Sequence, residues 1–270
     1  MLKALFFDLD GTLLNSEKAV APATHAALER CRERGLALYV ATGRSPRLDA
    51  TLGWTEHELR LFDGGVYSNG ACVMLDGHCC WEHIAADAVA ACVDIANRHG
   101  GHISLHMDDG CHAFNFTLPQ SVWGPWGVSE GNVLPLDDRA MSRTVKLLFF
   151  HEHLVDSVTL LPEGLLPELQ AAVGHAVSLY LTDGGCAIQA AARHVSKLTG
   201  IEAICRARGY AEDEIAVFGD DLNDLPMLQR YPHSVAMGNA VPRVKAAARH
   251  ITRSCDEGGI PFALETLLKL

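Results

Sequence analysis

Short apolar runs alternate with amphipathic stretches at both ends of this chain, and the alternation lapses in between. Residues 3–7 and 36–41 are dense enough in apolar side chains to be strands covered on both faces. Between them Pro22 stands where a first helical turn begins. Ala26, Ala27, Leu28 and Cys31 follow it, and Gly35 ends the segment. The rhythm returns after Val195, with a helix expected over 196–208 stopped by Gly209 and a strand over 215–218. A helix over 222–230, a strand over 234–237 and a closing helix over 261–268 complete it. Strands alternating with helices imply a parallel, doubly wound sheet, which binds its ligands beyond the carboxyl ends of its strands.

From about residue 81 to 185 the pattern is different. Residues 85–96 read as a helix, while 103–106 and 112–116 alternate like half-buried strands around Asp108-Asp109-Gly110. Residues 145–150 form another expected strand, and 176–181 pairs with 187–190 across Asp183-Gly184-Gly185. Hairpins mixed with helices describe an α+β unit inserted into the α/β one. The expected division is a Rossmann-like core of residues 1–80 and 186–270 with an inserted α+β cap over 81–185. A length of 270 residues suits one large or two modest domains.

The formal charge of -11 argues against a general affinity for nucleic acid, whose phosphates demand a surplus of Lys and Arg. No apolar run approaches the roughly 20 residues that span a bilayer, so no membrane association is expected. The apolar start is cut off by Asp8 and Asp10, unlike a secretory signal. Nine scattered cysteines, with Cys79 and Cys80 adjacent, read as free thiols in a reducing compartment, so a cytoplasmic location is expected. A monomer or small homo-oligomer is expected.

The chemistry concentrates in four places. Asp8-Leu9-Asp10-Gly11-Thr12 follows the first strand directly. Residues two apart on an extended chain face one side, so Asp8 and Asp10 point into one cavity. Two such carboxylates ionise together only if a cation joins them; otherwise one keeps its proton, and either state serves acid–base or nucleophilic chemistry. Gly219-Asp220-Asp221-Leu222-Asn223-Asp224 follows a second strand, and its clustered carboxylates suit a hard divalent ion such as magnesium. Asp221 in that stretch also suits a helix cap. Ala41-Thr42-Gly43-Arg44 ends a third strand with donors suited to phosphate oxygens. Ser196-Lys197 opens a helix, where a lysine beside backbone amides can neutralise developing negative charge.

In this order, the four pieces resemble the haloacid dehalogenase superfamily, and in particular its Cof-like branch with a large α/β cap between the second and third motifs. Ser68-Asn69-Gly70-Ala71, Met237-Gly238-Asn239-Ala240 and Asp256-Glu257-Gly258-Gly259-Ile260 resemble that branch too. Where the branch has a glycine directly after the lysine, this chain has Leu198-Thr199-Gly200. The resemblance implies a phosphatase in which Asp8 attacks phosphorus and forms an aspartyl-phosphate. Asp10 then protonates the leaving oxygen and later activates water. Thr42 and Lys197 hold the phosphoryl oxygens, with Leu9, Gly11, Gly43, Arg44 and Asn223 around the phosphate. Mg2+ falls to Asp8, the main-chain carbonyl of Asp10, Asp220 and Asp224. The implied partner is a small phosphorylated metabolite. A phosphomutase of the same superfamily and a receiver-like phospho-acceptor protein are the alternatives. His99, His102, His106, Cys111 and His112 match no standard zinc spacing, and His151-Glu152-His153 reads as a strand end. Trp123 and Trp126 fit core packing of the cap better than a substrate face.

Overall fold

The structure, a computed structural model, describes residues 1–124, 127–151, 159–182 and 185–270. Trp126, Glu152, His153 and the Asp183-Gly184 turn therefore lie outside the described residues. The chain forms two compact units, one of residues 1–80 with 196–270 and one of 81–195.

The first unit is built on β1 (Ala4–Phe7), β2 (Ala37–Ala41), β3 (Gly64–Tyr67), β4 (Cys72–Leu75) and β5 (His78–Trp81). The second unit carries β6 (His102–Met107), β7 (His112–Phe114), β8 (Thr144–Phe150), β9 (Val177–Thr182) and β10 (Ala187–Ala192). The first then resumes with β11 (Ile215–Gly219), β12 (His233–Ala236) and β13 (His250–Ile251). Its eight strands lie in the order β13-β12-β11-β1-β2-β3-β4-β5. From β13 to β3 all neighbours are parallel, and β3 meets β4 antiparallel. This is the Rossmann-like, parallel-dominated sheet that the strand–helix rhythm implies.

The chain leaves β1 towards β2 and re-enters on its other side at β11, so the strand order reverses at β1. At such a switch point the loops after adjacent strands separate and leave a crevice for ligand. Every residue of β1 is buried, as expected of a central strand without polar alternation. Phe6 stacks on Tyr39 and Phe7 on Phe218, with ring centroids 4.8 and 4.6 Å apart. Each such ring contributes roughly 1.5–3 kcal/mol through burial. The three strands whose ends carry Asp8, Thr42 and Asp220 are thereby locked in register.

Two helices bear on the site. Lys197–Arg208 begins at Ser196, whose hydroxyl accepts from the Thr199 amide while the Thr199 hydroxyl accepts from the Ser196 amide, and it ends at the left-handed Gly209. Leu225–Arg230 starts three residues later than the apolar pattern predicts, because residues 220–224 wrap around the carboxylate of Asp224 instead. Strands β3 to β5 were not visible in the sequence pattern.

In the second unit the five strands run β7-β6-β8-β10-β9, with antiparallel pairing throughout. Helices Ala86–Arg98 and Leu165–Val173 pack against each other. Strand β10 pairs with β8 and β9, so the chain returns to the first unit at residue 196 rather than at 186. Trp123 donates to the Leu118 carbonyl at 3.1 Å, a packing role inside this unit. No helix among the described residues is long and apolar enough to cross a membrane.

His106 and His112 face each other across β6 and β7, with ring centroids 4.7 Å apart. Burial, reduced in effect by Asp109 and reinforced by Lys146, lowers His112 from 6.5 to about 4. Burial, His112 and Lys146 push His106 well below its ordinary value. Above pH 6.5 both rings are neutral folded or unfolded and contribute no pH dependence. Between 6.5 and 4 the unfolded chain takes up protons that the folded unit refuses, so the contribution of these two rings to stability falls as pH falls. His112 alone should remove about 3 kcal/mol across this window, and His112→Leu should flatten it, as measured by urea unfolding at successive pH values. An unchanged slope in the variant would remove His112 as the cause.

Candidate active site

Asp8 follows β1, Thr42 follows β2 and Asp220 follows β11, so all three stand at the carboxyl end of neighbouring strands. Lys197 arrives from the first turn of its helix, and its Nζ donates to Asp8 Oδ1 at 2.5 Å and to Asp224 Oδ1 at 2.6 Å. Asp8, Lys197 and Asp224 are 5%, 1% and 0% exposed, so this ion cluster is sealed from water. The second oxygen of Asp224 accepts from the amides of Asp220 and Asp221, at 3.0 and 3.1 Å. One carboxylate thus anchors the lysine and shapes the acidic loop. Asp221 accepts from the Leu222 amide at 2.7 Å, but helix Leu225–Arg230 begins at Asp224 with no side-chain cap, so Asp221 does not cap it as its position suggested.

Asp220 accepts from the Thr12 hydroxyl at 3.1 Å. Gly11, at φ +78°, sits so close that an added Cβ would lie 2.3 Å from Asp220 Oδ2. Only glycine allows both that backbone conformation and that approach. Asn239 donates to the Gly11 carbonyl at 2.8 Å and accepts from the Cys255 amide at 3.0 Å, bracing the turn from the far side.

The electrostatics of the cluster are unbalanced. Burial, with the charges of Asp224 and Asp220, holds Asp8 well above the ordinary carboxylate range despite Lys197. Burial and Asp224 lift Asp220 to about 7, against the opposing pull of Lys197 and Thr12. Burial disfavours the charge of Lys197, but Asp224 and Asp8 outweigh it and hold the ammonium protonated. Oxygens of Asp8, Asp220 and Asp224 lie within 4.8 Å of one another, a donor set of hard oxygens. Three carboxylates against one ammonium leave two negative charges, which one divalent cation neutralises. The residues therefore fit Mg2+.

Asp10 is placed differently. Its carboxylate takes a two-pronged contact from Arg44, Nε to Oδ2 at 2.6 Å and a terminal nitrogen to Oδ1 at 2.7 Å, and a third from Lys18 at 2.9 Å. Burial pushes Asp10 up, but the hydrogen bonds and charges of Arg44 and Lys18 prevail and hold it at about 2. The Asp10 side chain thus stands outside the three-carboxylate cluster, and Arg44, expected at the phosphate, holds Asp10.

The remaining expected residues are brought close by the backbone. The Asn69 amide donates to the Thr42 carbonyl at 3.0 Å and the Ser68 amide to the Arg44 carbonyl at 2.8 Å, which ties residues 42–44 to the loop after β3. The Thr42 hydroxyl accepts from the Arg44 amide at 3.1 Å. Ser68 and Asn69 both hold left-handed backbone, φ 49° and 57°, a conformation costly without glycine and one that gathers at functional sites. Asn223 reaches across to donate to Asn69 Oδ1 at 3.0 Å. Leu9 is buried beneath the loop, and its carbonyl accepts from the Thr12 and Leu14 amides at 3.2 and 2.8 Å. The displaced glycine has a packing reason, since a Cβ on Gly200 would lie 2.4 Å from Val66, and Lys197 keeps its place one turn earlier. Thr12, Lys18, Asn69 and Asn239 are the partners that sequence reasoning did not assign. All but Lys18 lie in the stretches that carry the family resemblance.

The histidines near residues 99–112 form no three-ligand group among the described residues. His99 instead contacts Glu168 at 2.6 Å.

Comparison with known proteins agrees with this geometry. Residues 5–264 match the haloacid dehalogenase-like hydrolase family. The pyridoxal phosphate phosphatase of Escherichia coli is 28% identical, with 91% of each chain covered. The 5-amino-6-(5-phospho-D-ribitylamino)uracil phosphatase YitU of Bacillus subtilis is 25% identical over 97% of this chain and 96% of its own. Among solved structures, the subclass IIB sugar phosphatase BT4131 superposes with a TM-score of 0.80 at 25% identity, covering 99% of this chain and 100% of that one. With its two-carboxylate loop after β1, its buried lysine and its acidic loop after β11, the chain belongs to the haloacid dehalogenase-like hydrolase family.

Proposed function

We propose that this protein is a magnesium-dependent phosphatase that hydrolyses a small phosphorylated metabolite through a phosphoryl group carried on Asp8. The observation that carries the reading is the buried cluster of Asp8, Lys197 and Asp224, with half-buried Asp220 beside it, at the strand-order reversal. Relatives named for pyridoxal phosphate and for sugar phosphates support a small phosphomonoester as substrate. The insertion over 81–195 is then the part of the chain that selects among such substrates.

Asp8, Asp220 and Asp224, with the main-chain carbonyl of Asp10, would hold Mg2+, which offsets charge on the phosphate when bound. Asp8 attacks phosphorus, the ester oxygen departs, and that oxygen takes a proton from Asp10. Water then attacks the phosphoryl group, Asp10 takes the water's proton, and inorganic phosphate leaves with Asp8 restored. Lys197 and Thr42 offset and orient the phosphoryl oxygens, since phosphoryl transfer asks mainly for positioning and charge. Arg44 links the two roles of Asp10. Its fork favours the ionised carboxylate, the form that accepts a proton from water. A phosphate dianion arriving nearby competes for that guanidinium, and loosening the fork raises Asp10 towards the form that donates.

Asp8→Asn should lower magnesium-dependent phosphate release from a panel of phosphorylated metabolites by more than about a thousandfold, with circular dichroism unchanged. EDTA should abolish release by the unaltered protein. Substantial metal-dependent turnover by Asp8→Asn would end the nucleophile assignment.

Lys197→Met leaves buried carboxylates without their cation. In chelated protein at pH 7 it should cost about 3–5 kcal/mol in urea unfolding. A change below about 1 kcal/mol would show that the lysine is not what holds the loops together.

A further inference from the structure

The contact that Lys18 makes with Asp10 starts from an unfavourable backbone. Lys18 lies in the turn between β1 and helix Pro22–Glu33 and holds left-handed backbone, φ 60°, without being glycine. The residues around it impose that conformation. Asn15 Oδ1 accepts from the Glu17 and Ala19 amides at 3.1 and 2.9 Å. The Lys18 amide donates to the Asn15 carbonyl and the Asn15 amide to the Ala19 carbonyl, both at 3.0 Å. From outside the turn, Asp256 Oδ1 accepts from the Ser16 amide at 2.8 Å, which ties it to the segment after β13. Glycine would suit position 18 better on conformational grounds. What lysine adds is its ammonium, whose Nζ donates to Asp10 Oδ1 at 2.9 Å.

An exposed ammonium beside a carboxylate adds little to stability, and this one is more than half exposed. Its place on Asp10 gives it another use. Arg44 contacts both carboxylate oxygens, Nε on Oδ2 and a terminal nitrogen on Oδ1, whereas Lys18 contacts Oδ1 alone. When a phosphate draws the guanidinium away, Oδ2 loses the arginine while Oδ1 keeps the lysine. The carboxyl is then still held by one oxygen, and the other is open to carry a proton.

We propose that Lys18 is a positioning residue for the acid–base step, holding Asp10 through Oδ1 and so assigning the transferred proton to Oδ2. The proposal rests on the phosphatase reading, in which Asp10 protonates the ester oxygen and then takes a proton from water. Without Lys18 the carboxyl turns freely once Arg44 has left it, and proton transfer to the ester oxygen slows.

Such a fault shows only where the leaving oxygen needs a proton. The test measures kcat/KM for the full-length protein in Mg2+ on two esters. One is p-nitrophenyl phosphate, whose leaving oxygen departs as a stable anion. The other is whichever of glucose, ribose and glycerol phosphates the unaltered protein hydrolyses fastest, an alkyl ester whose leaving oxygen must be protonated. Lys18→Gly should lose more than about tenfold on the alkyl ester and less than about threefold on the nitrophenyl ester. Lys18→Arg, which keeps a cation on the same backbone, should retain most of the alkyl-ester rate. The urea-unfolding midpoint of Lys18→Gly should not fall, because glycine adopts φ 60° without strain. Equal loss on both esters, or no loss on either, would overturn the proposal and leave the phosphatase reading in place. Release from none of the alkyl esters by the unaltered protein would overturn the reading and the proposal together.

Discussion

A single ammonium group, that of Lys197, joins the loop after β1 to the loop after β11. It is 1% exposed and bonded to Asp8 and Asp224, so its charge has no recourse to water. A buried ion pair adds little net stability compared with an apolar core, but removing one partner strands the other. The cluster therefore works as a specification: the loops after β1 and β11 have one arrangement that leaves no charge unanswered. Even that arrangement is incomplete, because Asp220 and Asp8 are both lifted above the ordinary carboxylate range. The folded protein thus carries a standing demand for positive charge at the carboxyl ends of β1 and β11.

The rest of the site is arranged so that few side chains act alone. Asp224 holds the lysine with one oxygen and the loop amides with the other. Asn239 bridges the Gly11 carbonyl and the Cys255 amide, which brings the turn after β12 against the turn after β1. Asn69, in left-handed backbone, contacts both Thr42 and Asn223. A substitution at any of these positions displaces more than its own contact, so their effects should not add.

Much of this arrangement is legible in the sequence because its charged side chains sit where regular structure ends. Asp8, Thr42 and Asp220 each follow an apolar run, and the position after a central parallel strand carries ligand chemistry for topological reasons. Lys197 was readable from its place at a helix start behind Ser196. The strip β3 to β5 was not, because Gly64 and Gly65 contradict strand preference. Those glycines are there for contact: a Cβ on Gly64 would lie 2.3 Å from the Met74 carbonyl, and one on Gly65 2.4 Å from Val40. The partnership of Arg44 and Lys18 with Asp10 was equally hidden, since a donor after a strand suits a phosphate and a carboxylate alike. The return from the insertion lies about ten residues later than expected, although 187–190 already reads as the hairpin partner of 176–181; β10 runs on to Ala192 between β8 and β9 and so stays with the inserted unit.

The neighbours β1 and β11 also set an order of events. Ala4 pairs with Ile215, 211 positions along the chain. At about 5–20 residues per second, roughly 10 to 40 s of synthesis separate the two strands on the ribosome. In that interval one edge of β1 has no partner, and Asp8 lacks both Lys197 and Asp224. The antiparallel sheet over 102–192 has all its strands before β11 emerges, and its pairings are shorter in sequence, which favours early formation. The buried cluster of Asp8, Lys197 and Asp224 is assembled only when the last part of the chain closes against the first few residues.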